Sequence, residues 1–423
     1  MWQPIVSAAV SRECWSSIDD IEAALTGHLR AEAGNERAHA HLSAGAAGIA
    51  LFFAYLHAAR ERVGAEASAA DRALEALDIS TVALAQRRLL PTLYSGFVGI
   101  GWVITHLSRE IFEGDGELAV EIDEALRVML AEVTESPQFE LLSGLAGYGT
   151  YLVERLPSPS AVKPLARVID LLETSRDATG TWFSNPDWLP DWQRELMPRG
   201  YHNLGVAHGI PGVIGFLAAA QRAGAADPRI PRLADDAVRW LLAQKGSWPS
   251  SVFPAHIPPD DDPRPTRTAW CYGDLGVAAV LLSAARSFDR SEWQEEALAI
   301  ARTAARRSVE ETKVTDVGLC HGTSGIAHLF NRLYQASGDD ELRAAAESWY
   351  GQTLEMRRPG EGIAGFIGWS DGRRPGEGEW RGEPGFLSGV AGIGLALLAA
   401  VSEVEPAWDR VMVVSVPPQK GVS

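Results

Sequence analysis

Cysteine is scarce in this chain, with three among 423 residues. Three thiols over that length cannot form a disulfide framework, so the expected compartment is a reducing one that leaves thiolates free for metal. Positive charge is also short. Lys and Arg number 38 against 55 Asp and Glu, a formal net charge of −17, and no basic run is long enough to track a phosphate backbone. No nucleic-acid partner is expected. No stretch reaches the roughly 18 apolar residues of a membrane-spanning helix, and the first residues lack the basic flank and apolar run of a signal peptide. The expected location is cytoplasmic.

What is plentiful is apolar side chain, at 46%, and glycine, at 41 residues. Length alone suggests two or three domains, but an internal repeat overrides that prior. Charged amphipathic segments alternate with segments that are apolar nearly all round, and each apolar segment opens on Gly-x-x-Gly. The amphipathic segments span about 17–32, 69–85, 117–135, 161–174, 233–245, 291–308 and 340–356, and the first glycines stand at 45, 96, 144, 209, 273, 322 and 389. Amphipathic helices read as outer elements and the all-apolar ones as buried. Glycine is costly inside a helix, so glycines at successive turns imply a steric cause, here expected to be helices crowding around an axis. The pattern predicts an all-α fold: one α/α toroid domain over residues 1–423, with seven outer and seven inner helices. Long loops at about 178–207, 247–270 and 357–384, rich in Pro, Gly and Trp, would rim its active-site end. A short β-like run at 411–416 and a loose tail over 406–423 would close the chain.

Chemistry-bearing residues collect where the apolar segments begin. Cys320 and His321 stand side by side before Gly322, and Cys271 stands before Gly273. Thiolate and imidazole are ligands that zinc prefers, and a catalytic zinc keeps three protein ligands with one position open. Glu140 and His208 hold similar places before Gly144 and Gly209. If the repeats are equivalent, one end of the toroid gathers all five. Other readings exist for each: a buried cysteine is often a small hydrophobe, a lone histidine a hydrogen-bonded core group, and a glutamate before a helix a partner for its dipole. Arg267 and Tyr272 flank Cys271 and can equally be structural. Cys14 lies away from every repeat start and reads as a bystander, and Trp270 reads as packing.

The phrases Asn203-Leu204-Gly205-Val206-Ala207-His208-Gly209-Ile210-Pro211-Gly212, Trp270-Cys271-Tyr272-Gly273 and Cys320-His321-Gly322, in that order, resemble the lanthionine synthetase C (lanthipeptide cyclase) family. The likeness covers almost the whole chain, and Pro384-Gly385-Phe386-Leu387-Ser388-Gly389 fits the family's last repeat. The resemblance implies zinc held by Cys271, Cys320 and His321, His208 as the acid/base residue, and roles for Arg267 and Tyr272. The family usually has Asp four residues before the third repeat's glycine; this chain has Glu140, with one more methylene.

The activity so implied is intramolecular addition of peptide cysteine thiols to dehydroalanine or dehydrobutyrine, closing (methyl)lanthionine rings. An open zinc position suits thiol activation, and a histidine titrating near neutrality suits protonation of the enolate. The implied partners are a dehydrated precursor peptide and a lanthipeptide dehydratase. Two alternatives stand beside it: addition of a free thiol such as glutathione, as the family's eukaryotic relatives imply, and a non-catalytic zinc-stabilised scaffold. Protein prenyltransferases also pair an α/α barrel with thiol-activating zinc, but have no place for these phrases.

Overall fold

The structure is a computed structural model that describes residues 2–35, 39–62, 64, 68–112, 117–133, 137–370 and 377–417. In chain order its first helices are α1 (Ala8–Glu32), α2 (Ala46–Glu61), α3 (Ser68–Gln86), α4 (Phe97–Glu110), α5 (Glu117–Ala131), α6 (Leu145–Arg155), α7 (Pro159–Thr174) and α8 (Asp191–Leu196). There follow α9 (Ile210–Arg222), α10 (Arg229–Leu242), α11 (Asp274–Ser287), α12 (Ser291–Ala305), α13 (Val309–Thr312), α14 (Thr323–Ser337), α15 (Asp340–Glu355) and α16 (Val390–Val401). No helix is long and apolar enough to cross a membrane among these residues.

Two compact units divide the chain. One comprises Met1–Ala119 and Thr315–Trp408, the other Val120–Val314 and Asp409–Ser423. In the first unit α1 packs on α16, α2 on α3 and α16, and α14 on α15 and α16. In the second, α6 packs on α7 and α9, α9 on α10 and α11, and α11 on α12. The expected alternation holds. Helix α10 buries a single stripe, Ile230, Leu233, Ala234, Ala237, Val238 and Leu241, at the spacing of one helical face. Helix α16 is buried at every residue from Val390 to Ala400.

Each of α2, α4, α6, α9, α11, α14 and α16 begins directly after the first glycine of its pair. The steric cause differs from the expected crowding of helices. A Cβ on Gly45, Gly96, Gly144, Gly209 or Gly273 would overlap the carbonyl oxygen six residues earlier, in the chain's own preceding turn. The second glycine meets the same obstacle at Gly48, Gly99, Gly212, Gly276, Gly325 and Gly392. Neighbouring repeats do touch there: a Cβ on Gly48 would lie 2.8 Å from Phe386 Cβ, and one on Gly99 3.2 Å from Leu42 Cβ. The glycines therefore lock a turn against the helix that follows it, and only secondarily seat the next repeat.

The long loops carry structure of their own. A 3-10 turn (Pro186–Trp188), α8 and β1 (His202–Asn203) lie in the first, and β2 (His256–Ile257) lies in the second. β1 and β2 pair antiparallel, with Asn203 opposite His256. The third loop folds into the hairpin β3 (Gly368–Ser370) and β4 (Glu379–Arg381), while its residues 371–376 lie outside the described ones. The end of the chain departs from expectation. Residues Ala407–Met412 form a 3-10 helix, not a strand, and Val411, Met412, Val413, Val414 and Val416 are buried. Trp270 Nε1 donates to Met412 O at 3.0 Å, Ser283 Oγ to Ser415 O at 2.9 Å and Arg286 Nη1 to Pro417 O at 2.7 Å. Apolar burial and three side-chain hydrogen bonds hold this segment, which short-range sequence pattern cannot register; residues 418–423 lie outside the described ones.

Candidate active site

The second unit builds a cluster from three locked turns. Before α6, the Glu140 carboxylate accepts from Leu142 N at 3.1 Å and Ser143 N at 2.5 Å, which fixes it in a buried place. It also lies 2.7 Å from Nδ1 of His208, the residue before the cap of α9. A carboxylate that accepts here leaves the proton on Nδ1 and Nε2 as the nitrogen not engaged by Glu140. The longer side chain of Glu140 thus spans to His208. Burial works against charging this histidine, but the charge and hydrogen bond of Glu140, helped by Cys271, overcome it and raise its pKa.

The turn before α11 carries Cys271, only 6% exposed, and Tyr272. Ala207 N donates to Cys271 O at 3.3 Å, which ties this turn to the one holding His208. The ring centroids of His208 and Tyr272 lie 6.3 Å apart, and those of His256 and Tyr272 5.4 Å apart. Burial pushes the Tyr272 phenol well up, so it stays protonated, and burial with the nearby His208 pulls His256 down to about 4, so it stays neutral. Arg267 is half-buried and bridges backbone to backbone with Gly273, while its guanidinium has no hydrogen-bond or ion-pair partner among the described residues. Trp270 packs, 1% exposed.

The second unit also pins its loop to this turn. Asp274, the first residue of α11, accepts from Val252 N at 2.7 Å and Phe253 N at 3.1 Å, and it pairs with Arg307. Arg307 reaches Thr268 Oγ1 as well, at 3.2 Å.

In the first unit Cys320 and His321 lie in the turn before α14. Cys320 N donates to Leu387 O at 2.9 Å, joining that turn to the one before α16. Burial, with Cys320 nearby, raises the Tyr94 phenol well above its usual value. Asp316 is buried and accepts from Gly318 N at 2.7 Å and Trp369 N at 2.6 Å, and its Oδ2 stands 4.0 Å from His321 Nε2. A cavity of about 460 Å³ opens beside His321, lined among others by His39, His41, Trp369, Arg381 and Ser388. Cys14 is fully buried in α1, and burial, with Glu13 nearby, pushes its thiol up to about 12, as suits an inert core residue.

Sequence reading missed Asn203, Asp316 and His256. Two of them carried a signal: Asn203 and Asp316 each lie six residues before a first glycine, the register that also holds Arg267. His256 carried none, since it reaches the cluster only through the β1–β2 pairing.

Comparison with known proteins bears on both halves. The model of the family described as lanthionine synthetase C-like protein matches residues 38–413. Nisin biosynthesis protein NisC of Lactococcus lactis subsp. lactis is 25% identical over 270 residues, which span 58% of this chain and 63% of that relative, just under two thirds of its length. Glutathione S-transferase LANCL1 of Danio rerio is 27% identical over 310 residues, 70% of each chain. Among solved structures, a nisin cyclase matches with a TM-score of 0.73 at 19% identity, covering 93% of this chain and 97% of that one. At that identity the likeness speaks for fold, which is the all-α, α/α toroid class that the repeat predicts. With a family model spanning nearly the whole chain on that fold, the protein belongs to the lanthionine synthetase C-like family.

Proposed function

We propose that this protein is a zinc-dependent lanthipeptide cyclase, which adds cysteine thiols of a dehydrated precursor peptide to its dehydroalanine or dehydrobutyrine residues. The observation that carries the reading is the Glu140–His208 pair, an imidazole with one nitrogen held by a carboxylate, built beside Cys271 and Tyr272. Such a pair is suited to moving one proton in a defined direction.

Cys271, Cys320 and His321 would hold the zinc. Their donor set fits, for two thiols and one imidazole are what zinc takes with a position left open. Bound there, zinc would keep a substrate thiol as thiolate near neutral pH. In the reaction the thiol loses its proton and a C–S bond forms at the β-carbon. The C=C π pair moves toward the carbonyl as an enolate, and a proton reaches the α-carbon. No mass is gained or lost. His208, charged more readily than an ordinary histidine, supplies that last proton from Nε2. Arg267, half-buried and with no partner for its guanidinium among the described residues, and the protonated Tyr272 are the groups to meet negative charge on the acyl oxygen. A dehydrated substrate requires a dehydratase acting before this protein.

A second reading is favoured by one observation, the 70% mutual coverage with a glutathione S-transferase. In it the thiol comes from glutathione and the same residues serve. The two are separated by offering a dehydrated, cysteine-containing peptide with glutathione present, followed by mass spectrometry and thiol alkylation. Ring closure leaves mass unchanged and removes alkylatable thiols; a peptide thiol held by the protein has a high effective concentration and should win. Glutathione adducts with peptide thiols still reactive would refute the cyclase. Neither change, with zinc bound, would favour a scaffold.

A further inference from the structure

The amide of Asn203 sits, 1% exposed, between the backbone of Gly205 and the phenol of Tyr272. From this placement we infer that Asn203 is a positioning residue, which fixes the direction in which Tyr272 donates its hydroxyl hydrogen. The inference rests on the thiol-addition reading above for its consequence in catalysis, though its geometry does not.

The orientation of the amide is settled by a group that cannot be reversed. Gly205 N–H is a donor only, and it lies 2.9 Å from the Asn203 side chain, so the atom facing it is Oδ1. The NH₂ group therefore faces the other way, where Nδ2 stands 3.0 Å from Tyr272 Oη. An amide nitrogen donates and does not accept. The phenol oxygen must be the acceptor in that bond, and its own hydrogen must point elsewhere. Asn203 is the one hydrogen-bond partner of the Tyr272 hydroxyl among the described residues. Tyr272 as a residue is half-buried.

The ring is held as firmly as the hydroxyl. A Cβ on Gly205 would lie 2.7 Å from Cδ1 and Cε1 of Tyr272 and 2.5 Å from Cys271 O, so the backbone of residue 205 lies flat against the phenol. The imidazole of His256 meets it edge to face at 5.4 Å, and the His208 ring stands at 6.3 Å. One short segment thus sets both chemical groups: Asn203 aims the Tyr272 O–H, and His208, further along the same turn, supplies the proton. An O–H with a fixed direction, costing no reorganisation, is suited to the acyl oxygen on which enolate charge develops. With Asn203 turned into an acceptor, the same phenol would give its hydrogen back to residue 203.

Asn203→Asp makes that change with almost no change of shape, since a carboxylate still accepts from Gly205 N–H. On a synthetic peptide carrying one dehydroalanine and one downstream cysteine, Asn203→Asp and Tyr272→Phe should each lower kcat about 10²–10³-fold, the usual loss for one oxyanion donor, with KM and zinc content little changed. The two together should be no worse than either alone. Losses that multiply would show Asn203 to be structural only and overturn the inference. A second readout needs no turnover: the ring Fermi doublet of Tyr272, isolated in resonance Raman by difference against Tyr272→Phe, should pass from an accepting to a donating phenol in Asn203→Asp. An unchanged doublet overturns the inference as well. If Asn203→Asp does not fold, Asn203→Ala replaces it, with a smaller loss that must also vanish in the Tyr272→Phe background. A wild-type protein inactive on this peptide, with or without glutathione, would refute the catalytic reading, and the Raman measurement alone would then decide the geometry.

Discussion

Asp274→Ala is the substitution whose cost the structure sets most clearly. The carboxylate is fully excluded from solvent, its partner Arg307 is 4% exposed, and two backbone N–H groups of the preceding loop, Val252 and Phe253, end on the same two oxygens. Removing one member of a buried ion pair leaves the other charged and unsolvated, which costs about 3–5 kcal/mol. For a unit of this size each kcal/mol moves Tm by about 2–4 °C, so the unit should melt roughly 6–20 °C lower. Scanning calorimetry reads this directly. Replacing both partners, Asp274→Ala with Arg307→Met, removes the stranded charge and should recover much of the loss. Because Cys271 lies in the turn just before Asp274, the single variant should also bind zinc less tightly. A fall in Tm below about 3 °C, or a double variant whose loss equals the sum of the singles, would refute the reasoning.

His208→Asn should keep zinc by elemental analysis and lower the rate of ring closure about 10²–10⁴-fold, because it is assigned proton transfer and not ligation. Glu140→Gln removes the charge that raises the His208 pKa and leaves burial, which lowers it, so the alkaline limb of kcat/KM should move to lower pH; a limb that stays in place would separate His208 from that limb. Chelation should abolish activity while far-ultraviolet circular dichroism stays helical, since the ligands cap buried helices and do not replace a core. Cys271→Ala and Cys320→Ala should each lose zinc.

Much of this was legible because one local device is used seven times. Gly-x-x-Gly marks each buried helix start, and the amphipathic stripes between them mark the partners, so helix order followed from pattern alone. The reason for the glycines did not. It lies in a carbonyl six residues earlier, a contact that exists only once the turn has formed. The same limit hid His256, brought in by pairing between two loops, and the terminal segment, whose hydrogen bonds reach back to Trp270, Ser283 and Arg286. Glu140 is the instructive case. Its identity raised the question of reach, and only the distance to His208 answers it.

The locked turns also explain where chemistry can be placed. In each repeat the residues just before the first glycine project from a backbone that the glycine holds against its own helix, so a side chain there starts from a fixed position. His208, Tyr272 and His321 occupy the place one before that glycine, Cys271 and Cys320 two before, Glu140 four before, and Asn203, Arg267 and Asp316 six before. The other four repeats carry Ala44, Ser95, Ser143 and Ser388 at the first of these places. One or two places before the glycine the side chain lies outside that contact of glycine and carbonyl, whereas Glu140, Asn203 and Asp316 also accept backbone N–H groups of their own turns. The metal ligands and proton donor proposed above all stand at such places on one repeated frame. By the same logic, Gly209→Ala should damage His208 placement more than any change of equal size on the solvent face of α10, since it forces apart the contact with Asn203 O on which both Asn203 and His208 depend.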